Sequence, residues 1–207
     1  MNIPVAIAAV TASLAFTTAA CADQLADATA PPSAAAVCAA CHGAQGEGAA
    51  SGVPRLAEQN ADYIRHALAT FKTGARPSSV MQPIAQNLDD ATIDRLAGFF
   101  SRQHAPLADR SAAPSPQLVR AGQRLAETGA DNAPACFTCH AAQGDGNGAR
   151  FPRVAGQPAQ YVINRLHEFQ ARARGKAVEP ATMTAVAATL GERQIEELSA
   201  YLSQLER

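Results

Sequence analysis

The sequence predicts an all-α protein made of two tandem copies of one helical domain. Apolar residues recur at helical spacing in both halves, and no segment alternates apolar and polar residues as a half-buried strand would. A set of residues in the first half also recurs in the second half at a nearly constant offset. Self-similarity of this kind indicates duplication of a structural unit.

The duplication begins at two Cys-x-x-Cys-His motifs, at residues 38–42 and 136–140. Their offset of 98 residues continues through the middle of each copy, and four additional residues in the second copy then change it to 102. A register held over this length indicates two copies of one domain. The matching pairs include Gly46 and Gly144, Gly48 and Gly146, Gln59 and Gln157, Tyr63 and Tyr161, Met81 and Met183, and Leu88 and Leu190.

A proline-rich segment separates the two copies. Residues 104–116 contain three prolines and no apolar periodicity, which predicts an extended linker. We therefore expect a first domain at residues 23–103 and a second at residues 117–207.

Each copy is expected to contain three helices joined by long loops. The predicted order is a short helix at the Cys motif, a glycine-rich loop, a middle helix, a methionine-containing loop and a final helix. Asp89, Asp90 and Glu192 lie near predicted helix starts, where the helix dipole favours an acid. The apolar stripes are Ile64/Leu68/Phe71, Val162/Leu166/Phe169, Ile93/Leu96/Ala97/Phe100 and Ile195/Leu198/Leu202/Leu205.

The composition excludes two classes of protein. A net charge of −1 with 17% charged residues argues against nucleic-acid binding through a basic face and against an acidic disordered tail. Apolar residues make up 47% of the chain, yet aromatic residues are only 5% and tryptophan is absent. A domain of roughly 80 residues with so few large side chains is marginally stable alone. We therefore expect a group other than side chains to fill each core.

The N-terminus predicts export. Residues 3–20 carry no charge, and small residues around Ala20 and Ala22 resemble a cleavage site, so residues 1–22 are predicted to be a signal peptide. No Lys or Arg precedes the apolar run, and its length also suits a retained membrane anchor. Cys21 is the one cysteine outside the motifs; we expect its removal with the peptide, with lipidation as the alternative, although Thr18 stands where a lipobox usually has Leu.

Cys-x-x-Cys-His is the attachment signature of c-type haem. Two thiols three positions apart on a helical turn can both bond to the vinyl groups of one porphyrin, and the following histidine then supplies the proximal imidazole. The duplicated motif thus predicts two covalently bound haem c groups. The predicted attachment residues are Cys38, Cys41, Cys136 and Cys139, and the predicted proximal ligands are His42 and His140.

Three other uses of a Cys-x-x-Cys pair remain as alternatives. A zinc site could use both pairs, but it leaves unexplained the histidine after each pair and the domain-length repeat. A thioredoxin-like redox pair needs a βαβ setting, which the sequence does not predict. Structural disulfides are compatible with export, but such short loops would be strained.

The two methionines beyond the initiator predict the second axial ligands. Met81 and Met183 occupy equivalent positions of the repeat, 39 and 43 residues after the motif histidines. A thioether suits ferrous iron and raises the reduction potential relative to bis-histidine ligation. The competing interpretation is that methionine fills gaps in an irregular core. The remaining histidines are not duplicated and are expected at the surface or in the linker: His66, His104 and His167.

A proline follows each motif histidine by twelve residues, at Pro54 and Pro152. A ligating histidine normally donates its other ring N–H to a fixed acceptor, which sets the orientation and basicity of the ring. The carbonyl group of a proline in a rigid loop suits this task, so both prolines are predicted to bond to the motif histidines.

Together these motifs resemble the dihaem class I cytochromes c of the cytochrome c4 family. The resemblance covers residues 33–206 and rests on the two haem motifs, on Pro-Arg-Leu-Ala-Glu-Gln at 54–59 and Pro-Arg-Val-Ala-Gly-Gln at 152–157, and on the Met-x-x-x-Ala-x-x-Leu segments. It implies one His/Met-ligated haem per domain and two domains that pack with their haems close. Glu58 departs from the pattern where the second copy has Gly156.

The resemblance also implies a function. With both irons six-coordinate no position is open for substrate, so we expect an electron carrier rather than an enzyme, in the periplasm or associated with the membrane. Its expected partners are redox proteins that dock transiently, a cytochrome bc1-type donor and a terminal oxidase as acceptor. The alternative is a dihaem subunit of a complex that oxidises sulfur compounds.

Overall fold

The protein is described by a computed structural model that covers residues 32–108 and 113–206. The predicted signal peptide and Cys21 lie outside the described residues. Within those two ranges all regular elements are helical, and β pairing is limited to isolated bridges. None of the helices in residues 32–108 and 113–206 is long and apolar enough to cross a membrane.

The first copy contains four helices. They are α1 (Ala35–His42), α2 (Ala61–Lys72), α3 (Met81–Gln86) and α4 (Asp90–Ser101). Side-chain caps fix two of the starts, because Asn60 accepts a bond from the backbone of Asp62 and Asp89 accepts one from Thr92. The core lies between α1, α2 and α4 and includes Ala35, Ile64, Leu96, Ala97, Phe99 and Phe100.

The second copy repeats this arrangement and adds a described helix in front. Its elements are α5 (Pro116–Thr128), α6 (Phe137–His140), a 3₁₀ turn (Ala142–Gly144), α7 (Ala159–Ala173), α8 (Met183–Ala188) and α9 (Glu192–Leu202). Helix α5 packs across α9, and a Cβ atom at Gly122 would collide with the backbone carbonyl of Glu197. The small residue therefore allows the two helix backbones to approach closely.

Two local predictions differ from the structure. The sequence predicted no helix at residues 116–128, where α5 begins with a Ser115 cap and a proline at its first position. It also predicted a loop around each methionine, whereas Met81 and Met183 are the first residues of six-residue helices. Both methionines keep equivalent positions in the two copies.

The start of the linker is held against the first copy. The buried Arg55 guanidinium donates to the carbonyl oxygens of Ala105 and Pro106 at 2.6 and 2.8 Å. Glu58 accepts from Arg55 at 3.0 Å and lies 3.0 Å from Nδ1 of His104. Glu58 adopts a left-handed backbone (φ 60°), like its counterpart Gly156 (φ 70°). Its carboxylate therefore gives the first copy a linker contact that a glycine cannot supply.

Candidate haem-binding sites

Each motif histidine ends a helix and points its Nδ1 atom at the predicted proline. His42 Nδ1 lies 2.8 Å from the carbonyl oxygen of Pro54, and His140 Nδ1 lies 2.8 Å from that of Pro152. A carbonyl oxygen can only accept, so Nδ1 carries the proton and Nε2 of the neutral ring keeps a lone pair. Burial lowers the pKa of both imidazoles, against the opposing effect of the proline bond. Both rings are therefore kept in the neutral form that a metal ligand requires.

The loop that carries each proline folds back on the histidine. The N–H of Gly48 donates to the carbonyl of His42 at 2.8 Å, and Gly146 makes the same bond to His140 at 2.7 Å. Both glycines have positive φ angles. A Cβ at Gly48 would lie 2.8 Å from the backbone nitrogen of Arg55, so a side chain there would push the proline loop away. The glycine-rich loop is thus needed for the histidine–proline contact.

The four motif cysteines are free thiols in both copies. Cys38 and Cys136 are partly buried, while Cys41 and Cys139 are exposed. Burial raises the pKa of the Cys136 thiol to about 11, which disfavours the thiolate that a redox pair or a zinc site uses. Among the described residues, no three side chains of the His, Cys, Asp and Glu types gather to hold a metal ion. The described elements are helical, so residues 32–108 and 113–206 do not contain the βαβ setting of a thioredoxin-like redox pair.

In the first copy an apolar cavity of about 410 Å³ lies between α1 and α3. Cys38 lines one side of it, and the helix that starts at Met81 lines the other. A cavity walled by aliphatic groups beside a free thiol fits a porphyrin that is bonded to that thiol. The lining residues are Ala34, Val37, Cys38, Pro83, Ile84, Asn87 and Leu88.

In the second copy one predicted attachment residue and the predicted methionine ligand contact the same apolar cluster. Cys136 and Met183 are both partly buried against the core formed by Leu166, Leu190 and Ile195. Phe137 and Phe169 pack on the same core. These apolar side chains play the part in the second copy that the apolar cavity wall plays in the first. They would exclude water from a bound haem.

The other histidines make contacts that differ between the copies. His66 is exposed on α2. His167 Nε2 lies 2.9 Å from a carboxylate oxygen of Glu192, and His104 contacts Glu58. None of these contacts is duplicated, which agrees with the expectation that they are surface or linker residues.

The structure brings together a group of residues that the sequence analysis did not identify as a cluster. Arg76 donates to the hydroxyl oxygens of Tyr63 and Tyr161, at 3.5 and 3.3 Å, and thereby joins the middle helices of the two copies. Burial, together with the charge of Arg76, lowers the pKa of Arg165 to about 10. The two guanidinium groups repel each other electrostatically, and Arg165 is paired with the carboxylate of Glu168. The tyrosines are duplicated in the sequence, but Arg165 corresponds to Ala67 and Arg76 lies where the offset changes, so the repeat gave no signal for the two arginines.

Comparisons with known proteins agree with this geometry. Residues 32–100 match the family described as "Cytochrome C oxidase, cbb3-type, subunit III", and residues 119–206 match "Cytochrome c". The chain is 36% identical to cytochrome c4 of Azotobacter vinelandii over 86% of its own length and 89% of the relative's. It is 38% identical to a thiosulfate dehydrogenase electron acceptor of Stutzerimonas stutzeri strain A1501, over 83% and 80% of the two chains.

A solved structure shows the same architecture. Reduced recombinant cytochrome c4 from Pseudomonas stutzeri superposes with a TM-score of 0.73 at 33% identity, over 83% of this chain and 94% of that one. The similarity therefore extends across both copies.

Proposed function

This chain belongs to the cytochrome c4 family, and from that premise we propose that it relays single electrons from a respiratory donor to a terminal oxidase in the periplasm. It has two cytochrome c domains, carries two covalently bound haem c groups and is an electron carrier, not an enzyme. The observation that carries the proposal is the pair of matching histidine–proline contacts, both at 2.8 Å, one in each domain.

We assign the haem contacts residue by residue. Cys38 and Cys41 would attach the first haem, and Cys136 and Cys139 would attach the second. His42 with Met81 and His140 with Met183 would hold the two irons, and Pro54 and Pro152 would orient the histidines. When bound, each haem supplies a one-electron iron couple.

The protein's own groups adjust that couple. The proline carbonyl withdraws the Nδ1 proton and makes Nε2 a stronger donor, which favours ferric iron. The thioether of each methionine favours ferrous iron and fills the position at which a small ligand would otherwise bind. Arg76 and Arg165 supply positive charge where the two domains meet, which suits the carboxylates of haem.

One exposed apolar side chain outside the cavity wall supports docking at the first domain. Val80 precedes Met81 and is 60% exposed. The second domain has Thr182 at the equivalent position. Small apolar contacts of this kind suit a transient redox complex.

The proposal is tested by reconstituting the relay with purified protein. A quinol-oxidising bc1-type complex should reduce the oxidised cytochrome, and a terminal oxidase should reoxidise it, each at a rate that falls when Val80 is replaced by Asp. Replacing the equivalent Thr182 by Asp is the matched control. Failure of both reactions with the wild-type protein would contradict the proposed partners.

A second candidate function follows from the relative that accepts electrons from thiosulfate dehydrogenase. In that case the donor is a sulfur-compound-oxidising enzyme, and the chain is its acceptor or its dihaem subunit. Rapid reduction by thiosulfate plus that enzyme, with co-purification of the two proteins, would favour this candidate over the bc1-type donor.

A further inference from the structure

Two glutamine side chains join the domains through buried hydrogen bonds. Gln59 of the first domain accepts from the backbone N–H of Arg153 at 2.8 Å and donates to its carbonyl at 2.9 Å. Gln157 of the second domain makes the same pair of bonds to Arg55, at 3.1 and 3.0 Å. Both glutamines and both arginines are 3–5% exposed. Each amide therefore pairs with both backbone polar groups of one arginine in the opposite domain, away from water.

Each arginine held in this way directly follows the proline whose carbonyl accepts from a motif histidine. Arg153 directly follows Pro152, whose carbonyl bonds to His140, and Arg55 directly follows Pro54, whose carbonyl bonds to His42. The nitrogen of Arg153 that Gln59 holds belongs to the same peptide group as the Pro152 carbonyl, because the peptide unit is planar. Gln59 therefore fixes one end of a rigid plane whose other end holds the histidine of the second domain.

We propose that Gln59 and Gln157 are positioning residues that act across the junction, each setting the reduction potential of the haem in the opposite domain. This inference rests on the proposed ligand roles of His42 and His140. A firm Nδ1–H to carbonyl bond makes the imidazole a stronger donor and stabilises ferric iron, which lowers the potential. Releasing the peptide plane weakens that bond, so the potential of the affected haem rises.

The bonds inside each domain do not replace these contacts. The carbonyl of Gly46 receives the N–H groups of Leu56 and Ala57, which belong to the two peptide units that follow the Pro54–Arg55 peptide. The guanidinium of Arg55 is engaged with the linker. The N–H of Arg55 thus has its bond from the opposite domain, which makes the geometry of the proline loop dependent on domain docking.

The test uses the complete dihaem protein and the variants Gln59→Met and Gln157→Met, which keep an unbranched side chain but lose both amide bonds. Haem methyl signals in proton NMR spectra, followed during stepwise reduction, give the potential of each haem separately. Gln59→Met should raise the potential of the haem at Cys136 and Cys139 more than that of the other haem. Gln157→Met should show the opposite pattern.

Gln160→Met is the matched control. Gln160 is exposed on α7, bonds to Asn164 and lies against Gly52 of the first domain, so it touches the junction without bonding to a proline loop. Its replacement should leave both potentials unchanged.

The variant Gln59→Glu keeps an acceptor for the N–H of Arg153. Its potential shift should therefore be smaller than that of Gln59→Met.

A second readout separates positioning from a loosened junction. The Nδ1 proton of His140 in the reduced protein should exchange faster with solvent in Gln59→Met, while that of His42 stays at its wild-type rate. Equal shifts of both haems, a larger shift in the mutated domain, or no shift would overturn the proposal. The wild-type spectrum tests the ligands independently. If it shows two methionine-ligated haems but the variants do not shift the haem of the opposite domain, only this inference is rejected.

Discussion

At the scale of single residues, the sites depend on a few groups that the sequence identifies by spacing. The twelve-residue interval between each histidine and its proline predicted a contact that the structure places at 2.8 Å in both copies. The interval sufficed because a glycine-rich loop of that length closes back on the helix end. The role of Glu58 could not be predicted in this way, because its partners Arg55 and His104 approach it only through the path of the linker.

Replacing Met183 by Ala should lower the reduction potential of the second haem and open its iron. Axial ligands move haem potentials over a range of about 0.8 V, so a drop on the order of 0.1 V is expected. Potentiometric titration and carbon monoxide binding by the reduced protein measure the two effects. Met81→Ala should do the same to the first haem alone, and an unchanged midpoint in either variant would show that its ligand was misassigned.

Glu58→Gln should change the dependence of stability on pH. Burial raises the pKa of Glu58, but the bonds from His104 and Arg55 outweigh it and hold that pKa below its ordinary value. A carboxylate with a lowered pKa stabilises the fold above its unfolded pKa of about 4.3, and this contribution is lost as the pH falls through the lower folded value. Wild type should therefore lose more stability than the variant as the pH falls from about 5 through that range.

Chemical denaturation across this pH range measures the effect. The variant should be less stable at neutral pH by about 1–3 kcal/mol, because the buried Arg55 loses its charged partner. Glu168→Gln, which breaks the more exposed pair with Arg165, should cost less than about 1 kcal/mol. Parallel pH curves for wild type and Glu58→Gln would contradict the account.

At the scale of elements, periodicity located the middle and final helices of both copies. It did not yield α5, although Leu118, Gly122, Leu125 and Ala126 lie on one face of that helix and Ser115 caps it. The prolines of residues 104–116 led us to predict a linker that includes Pro116. Pro116 is instead the first residue of α5, a position at which proline is favourable. The helices at Met81 and Met183 are six residues long, too short for a periodic signal.

Gly122→Ala should destabilise the second domain. The added methyl group would enter the backbone of α9 at Glu197, so the two helices must separate. Overpacking of this kind costs about 1–3 kcal/mol. Gly98→Ala in α4 is the control, because its nearest neighbour is the flexible end of Arg102 and alanine favours a helix by roughly 0.5–1 kcal/mol. Thermal unfolding should show a lower midpoint for Gly122→Ala only.

At the scale of the whole molecule, the repeat predicted two domains but not how they meet. Gln59 and Gln157 were visible as an aligned pair, yet a buried amide in one domain and a peptide unit in the other become partners only after docking. Arg76 and Arg165 gave no signal in the repeat either, because Arg165 corresponds to Ala67 and Arg76 lies where the offset changes. The junction is therefore the part of the site that the sequence left undetermined, and it is also where the domains can influence each other.

The dihaem relay is tested most directly by a redox titration of the purified protein followed at the red absorption band of methionine-ligated ferric haem. Reduction should consume two electrons per chain and remove the whole band, half of it for each haem, and the reduced protein should bind no carbon monoxide at neutral pH. Uptake of one electron per chain, a band with the amplitude of one haem, or carbon monoxide uptake by either haem would contradict the dihaem relay.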